Sequence, residues 1–296
     1  MEDLKPIVVL EHRCLLGEGP VWDFERKTII WIDILKGEIH EHSPVEKWHS
    51  ILKINEMIGS VALCKDGNFI AALQSGFAYI NRSSREIKKL IDPERHLPNN
   101  RFNEGKCDPA GRFFAGTMAL SKKRGQGSFY MLKNEGSVEK KMGNLSVPNG
   151  MVWSIDHRTF YHIDSPTSQV VSYDYDIKTG DFSNKKVIII IPKEDGFPDG
   201  MTIDEEGMLW IAHWNGWQTS RWNPYTGQKL GYIPLPVANV TSCTFGGEEL
   251  SDLYITSAKA GLRESELNEQ PLAGAIFVIR NPGHKGEKAF VFKPPQ

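Results

Sequence analysis

The chain has 296 residues, 35 of them Lys or Arg against 37 Asp or Glu, a formal net charge of −2 and a hydrophobic fraction of 40%. That balance lacks the basic bias of a nucleic-acid partner and the polar excess of a disordered chain. The longest apolar run, VIIII at 187–191, is too short to span a membrane and reads as a buried strand.

The opening stretch MEDLKPIVVL has neither the basic start nor the cleavage site of a signal peptide, so a cytoplasmic protein is expected. PIVVLEH follows as a strand. From there one pattern recurs: a turn rich in Asp, Gly or Lys, then a short strand of bulky residues, then a small polar residue or an acid. It appears as DFERKTIIWID from Asp23, KDGNFIAAL from Lys65 and DPAGRFFAGT from Asp108. It returns as IDHRTFYHID from Ile155, DEEGMLWIAH from Asp204 and GEELSDLYITS from Gly247. These six copies are spaced by roughly 40 to 50 residues, the period of propeller blades. DIKTGDF and NPYTGQKL mark further hairpins between copies. Helical periodicity is confined to ESELNEQ at 264–270. The expectation is an all-β chain forming a six-bladed β-propeller in one domain, 1–296, with PIVVLEH joining strands near AIFVIR and AFVFK to close the ring. Cys14, Cys64, Cys107 and Cys243 occur without a CxxC pair, so buried free thiols are expected.

A second motif lies just upstream of four copies: GEG at 17–19, NEG at 103–105, PNG at 148–150 and PDG at 198–200. The second and sixth copies carry IGS and TSC instead. Glu18, Glu104, Asn149 and Asp199 therefore share the phase of the repeat. If these motifs begin the inner strands, the four side chains converge at one mouth of the channel, where three carboxylates would repel unless a cation lay among them. Hard oxygen donors suit Ca²⁺, Mg²⁺ or Mn²⁺ better than a His and Cys zinc site. The competing reading is that Asp, Asn and Gly stand here because they fit β-turns.

At these residues the chain resembles the regucalcin/gluconolactonase/luciferin-regenerating family. The likeness runs through LLGEGPVWD, NNRFNEGKCDPAGRFFAGTM, VPNGMVWS, TFYHIDS, FPDGMTIDEEGMLWIAHWNGW, TSCTFGG and LYITSA. HWNGWQTSRWNP at 213–224 is closer to bacterial sugar lactonases. The resemblance implies one divalent metal ion (Ca²⁺, Mg²⁺, Mn²⁺ or Zn²⁺) on Glu18, Asn149 and Asp199, a substrate-contacting pair at Arg101 and Asn103, and Asp199 as general base. It implies a gluconolactonase-like carboxylic ester hydrolase that opens an aldono-1,4- or 1,5-lactone, with a calcium-binding regulatory protein as the alternative. A small-molecule sugar lactone is the implied partner; oligomeric state and lactone identity stay open. Where regucalcin-like members carry acids after GTMA, this chain has Leu120 and Ser121, which bears on sugar preference. The loop Leu120 to Gly127 is expected to overhang the mouth, although its run Lys122, Lys123 and Arg124 also reads as a solvated loop. Glu104 is not among the implied ligands. His213, Trp214 and Trp217 follow a strand end where a pocket wall or core packing is expected, and His162 and Asp164 read as structural. No GxSxG elbow is present, against a serine esterase.

Overall fold

The structure, a computed structural model, describes residues 4–294; the expected domain limits at Met1 and Gln296 lie outside these. Six four-stranded antiparallel sheets form the molecule. In five of them the strands follow chain order, innermost first, beginning with Gly17–Asp23, Ile58–Leu63, Asn100–Cys107, Pro148–Trp153 and Phe197–Ile203. The sixth starts at Val240–Gly246 and ends with Ile7–Val8 as its outer strand. Each inner strand touches the inner strands of both neighbouring blades, and the circle closes from the sixth blade back to the first. The expected six-bladed propeller is therefore the observed fold, and Glu264–Glu269 is the α-helix among the described residues.

Ring closure is as expected in one part and different in another. Ile7 and Val8 pair with Val278 and Phe277, so PIVVLEH does meet AIFVIR. AFVFK does not join that sheet. Its Phe292 bridges Cys64 in the second blade, Lys293 N donates to Gly111 O of the third at 3.0 Å, and Gly286 bridges Asp204 of the fifth. The outer edge of the sixth sheet is already taken by Ile7–Val8, so the last segment runs across the blades, where Phe292 is buried with Cys64, Ile70 and Phe113.

Aspartates at two recurring positions explain much of the repeat. Asp23, Asp108 and Asp204 open hairpin turns: one carboxylate oxygen of each accepts backbone N–H groups of the turn. The other oxygen is paired with Arg82, Arg112 or Arg221. A buried carboxylate is tolerated when it is so fully satisfied. Asp33 and Asp164 end the second strands of their blades and accept N–H groups of Leu15 and Leu16, and of Ser146 and Val147. These bonds fix the chain just before it enters the channel.

The polar-Gly motifs lie within strands rather than turns. Their glycines allow close packing around the axis. A Cβ at Gly200 would stand 2.1 Å from Ser242 Oγ, and one at Gly150 would stand 2.7 Å from Met201 Cβ. Every inner strand also carries a register shift near its start, such as between Glu18 and Val21, Phe102 and Glu104, and Asn149 and Met151. Bulges of this kind bend a strand and re-aim its side chains.

Candidate metal and substrate cleft

One mouth of the channel opens into a cleft of about 460 Å³. Glu18, Asn149 and Asp199 line it together with Arg101 and Asn103. All five are buried, at 8% exposure or less, so the expected metal residues and the expected substrate pair share one cavity. Arg101 and Asn103 sit two apart on one strand and both line the cleft.

A chain of hydrogen bonds orients the neutral members. Arg101 Nη1 donates to Asn103 Oδ1 and to Phe102 O, both at 2.8 Å. Asn103 Nδ2 donates to Asn149 Oδ1 at 3.0 Å and to Pro148 O at 2.9 Å. Asn149 Nδ2 donates to Ser165 Oγ at 2.8 Å, and that hydroxyl donates to Pro198 O at 2.7 Å. The amide nitrogen of Asn149 is thereby tied to the wall, which fixes its Oδ1 beside Asn103. Ser165 was not singled out from the sequence; its position directly after TFYHID is the only signal, and that signal is weak without the fold.

The carboxylates are less well provided for. Glu18 Oε2 accepts from Gly19 N at 2.9 Å. Asp199 Oδ1 and Glu104 Oε2 are buried without a hydrogen-bond partner. Burial, and secondarily the charge of Glu104, pushes Glu18 up to about 8. Burial with the charges of Glu18 and Glu104 pushes Asp199 well above the ordinary carboxylate range. Arg101 opposes both effects but is itself lowered to about 10 by burial. Clustered acids with an orphaned oxygen fit a divalent cation, which would satisfy the oxygen and offset the repulsion. The donor set, two carboxylates and an amide oxygen, is hard, as such an ion prefers.

Glu104 departs from the expected ring. The bulge between Phe102 and Glu104 leaves Asn103 facing the cleft. Glu104 faces a smaller cavity of about 110 Å³ on the other side, with Lys106 and the closing segment Glu287 to Phe290. In the first and fourth blades the shift falls after Glu18 and Asn149, whereas in the third it falls before Glu104, so equal sequence spacing does not give equal height in the channel. The loop after Ala119 does reach the mouth: Leu120, Lys122 and Arg124 line the cleft, so two of its three bases are more than a solvated run. Trp214 is a wall residue. Trp217 is 45% exposed and does not line the cleft. His213 is fully buried, shares a hydrogen bond with Ser220 Oγ, and is lowered by burial to about 4. His162 packs edge-on against Phe129, and Asp164 holds the strand entry as described above, so both are structural as expected. All four cysteines are free and buried. No helix among the described residues is long and apolar enough to cross a membrane.

The chain is 40% identical to regucalcin of Oryctolagus cuniculus over 291 residues, covering 97% of each. Its fold matches a solved luciferin-regenerating enzyme with a TM-score of 0.92 at 31% identity, over 98% of this chain and 100% of that one. It matches a protein of Agrobacterium tumefaciens described as a calcium-binding protein, regucalcin, with a TM-score of 0.92 at 27% identity, over 98% and 97% of the two chains. Residues 16–259, which hold Glu18, Arg101, Asn103, Asn149, Asp199 and every inner strand, match the SMP-30/Gluconolactonase/LRE-like region, and the chain belongs to that family.

Proposed function

We propose that this protein hydrolyses an aldono-1,4- or 1,5-lactone to the aldonic acid, with one divalent cation held by Glu18, Asn149 and Asp199. The observation that carries this reading is the meeting of three oxygen donors with Arg101 and Asn103 in one buried cleft of about 460 Å³, a volume suited to a small molecule. The cation, when bound, supplies Lewis acidity opposite the charge that develops on the carbonyl oxygen.

The protein groups do the rest. Asp199, through the carboxylate oxygen that the cation would leave free, takes a proton from the attacking water as the water oxygen bonds to the carbonyl carbon. The ring carbon–oxygen bond then breaks, and that proton passes to the leaving ring oxygen, which becomes the new hydroxyl. Arg101 holds sugar hydroxyls and then the product carboxylate through paired donors. Asn103, fixed between Arg101 and Asn149, keeps the guanidinium aligned with the donor set. Lys122 and Arg124 at the rim attract the carboxylate that ring opening generates.

The test is hydrolysis of glucono-, xylono-, arabinono- and galactonolactone by chelated and metal-restored protein. Activity should vanish on chelation and return with a divalent ion. The names of the relatives favour a second reading, a calcium-binding protein without turnover that uses the same oxygens. Stoichiometric Ca²⁺ binding with no hydrolysis of any lactone would select it.

A further inference from the structure

A second group of ligand-type side chains lies away from the channel. His12 and Cys14 stand on the segment between the closing strand Ile7–Val8 and the first blade. Glu38 and His40 stand two apart on the strand Glu38–His42, the third strand of that blade, and so share a face. A ring nitrogen of His12, one of His40 and Cys14 Sγ all lie within 4.8 Å of one another. None of these residues lines the cleft or the smaller channel cavity.

Three polar atoms here are buried and unpartnered: His12 Nε2, His40 Nε2 and Glu38 Oε2. His40 is fully buried and Glu38 is 8% exposed, so neither can be satisfied by turning to bulk water. His40 Nδ1 shares a hydrogen bond of 3.1 Å with His49 Nε2. When Nδ1 carries that proton, Nε2 presents a lone pair to Glu38 Oε2, 3.4 Å away. That separation is unrewarding for an acceptor pair. A cation on that nitrogen would separate the two acceptors by charge.

We propose that His12, Cys14 and His40 form a second cation site, with Glu38 beside His40, selective for a thiophilic ion of the Zn²⁺ class, at the seam between the N-terminal segment and the first blade. The donor set is softer than the oxygens of the channel, which separates the two sites by metal preference. The Cys14 thiolate and the neighbouring Glu38 carboxylate offset a divalent charge, which suits a buried position. His49 orients His40 through the other ring nitrogen, as outer partners of metal-bound imidazoles do, and Trp31 stacks on both rings at 5.0 and 5.5 Å. Burial lowers His40 to about 3 and His49 to about 4, which keeps the imidazoles neutral. Half-buried His12 is the route of entry, flanked by Lys36 and Lys259, which oppose a cation, and by Glu38 and Asp33, which favour one. The thiol is pushed up to about 12 by burial and Asp33, so binding releases its proton. The segment is already held by Cys14 N to Gly274 O at 2.8 Å and Val9 N to Ile276 O at 3.0 Å, so an ion here ties ring closure to the first blade.

The proposal is independent of lactone hydrolysis and is tested without it. Full-length protein stripped with chelator is titrated with Co²⁺ and followed by thiolate-to-cobalt charge transfer in the near ultraviolet. The band should appear in wild type and in Asp199→Asn, and be absent in Cys14→Ser. Zn²⁺ affinity, read by competition with a chromophoric chelator, should fall at least ~10-fold in His12→Ala, at a partly buried position. Absence of the band in folded wild type, its survival in Cys14→Ser, or unchanged Zn²⁺ affinity in His12→Ala would each overturn the site.

Discussion

Glu18 and Asp199 are buried in one cleft; Glu104, from the opposite side, raises the proton affinity of both, and Glu18 raises that of Asp199. Glu18 rises from 4.5 to about 8, so between those values the folded protein keeps a proton that the unfolded chain has released. Stability of chelated protein should therefore fall as pH rises across that window. A divalent ion replaces the proton and should flatten the decline. Melting temperature against pH for wild type and Glu18→Gln, both chelated, checks this; parallel curves would sink it. Asp199 gives a second test at this scale. Asp199→Asn keeps an oxygen donor but removes the base, and loss of a general base costs on the order of a hundred- to ten-thousand-fold in rate. Near-normal kcat at saturating metal would reduce Asp199 to a ligand. The sequence showed these acids through their phase in the repeat. It did not show that Glu104 faces the opposite cavity, because a bulge leaves no mark in residue spacing. Nor did it bring His12 and Cys14 to His40, since that contact joins segments whose short polar patterns carry no repeat.

The element that most shapes the cleft from outside is the loop after Ala119. Its sequence advertised a charged, Gly-flanked connection, and Leu120, Lys122 and Arg124 indeed reach the wall. Both bases are exposed, so each contact with an anion is worth only about 0.2–1 kcal/mol. The pair Lys122→Gln with Arg124→Gln should therefore weaken aldonate product inhibition several-fold while leaving metal affinity unchanged. An unchanged inhibition constant at low salt would remove the loop from product handling. The turns were the most legible elements, because Asp at the first position of DFERK, DPAGR and DEEGM has a local reason to be there. The glycines of the inner strands looked like turn residues from sequence. Their true cause, the close approach of neighbouring strands at Gly150 and Gly200, involves residues some fifty positions away in the chain.

Across the whole molecule, the repeat length foretold six blades, and only the course of the last segment escaped it. Phe292 belongs to the core between the second and third blades, so Phe292→Ala should cost about 3–5 kcal/mol. Urea unfolding measures this, and a loss under 1 kcal/mol would mean that the segment merely lies on the surface. The seam of the ring carries a different consequence, one of timing. Ile7 and Val8 find their partners at Val278 and Phe277, nearly the full chain away. Five blades can assemble from neighbours as the ribosome delivers them, but the sixth lacks its outer strand until both ends are present. Such distant pairing is slow to form, and meanwhile the edge at Phe277–Ile279 is open to any other strand. A nascent or partly unfolded molecule is therefore a ring with an unlatched gate, and exchange of that short N-terminal strand between two molecules is the error to which this architecture is most exposed.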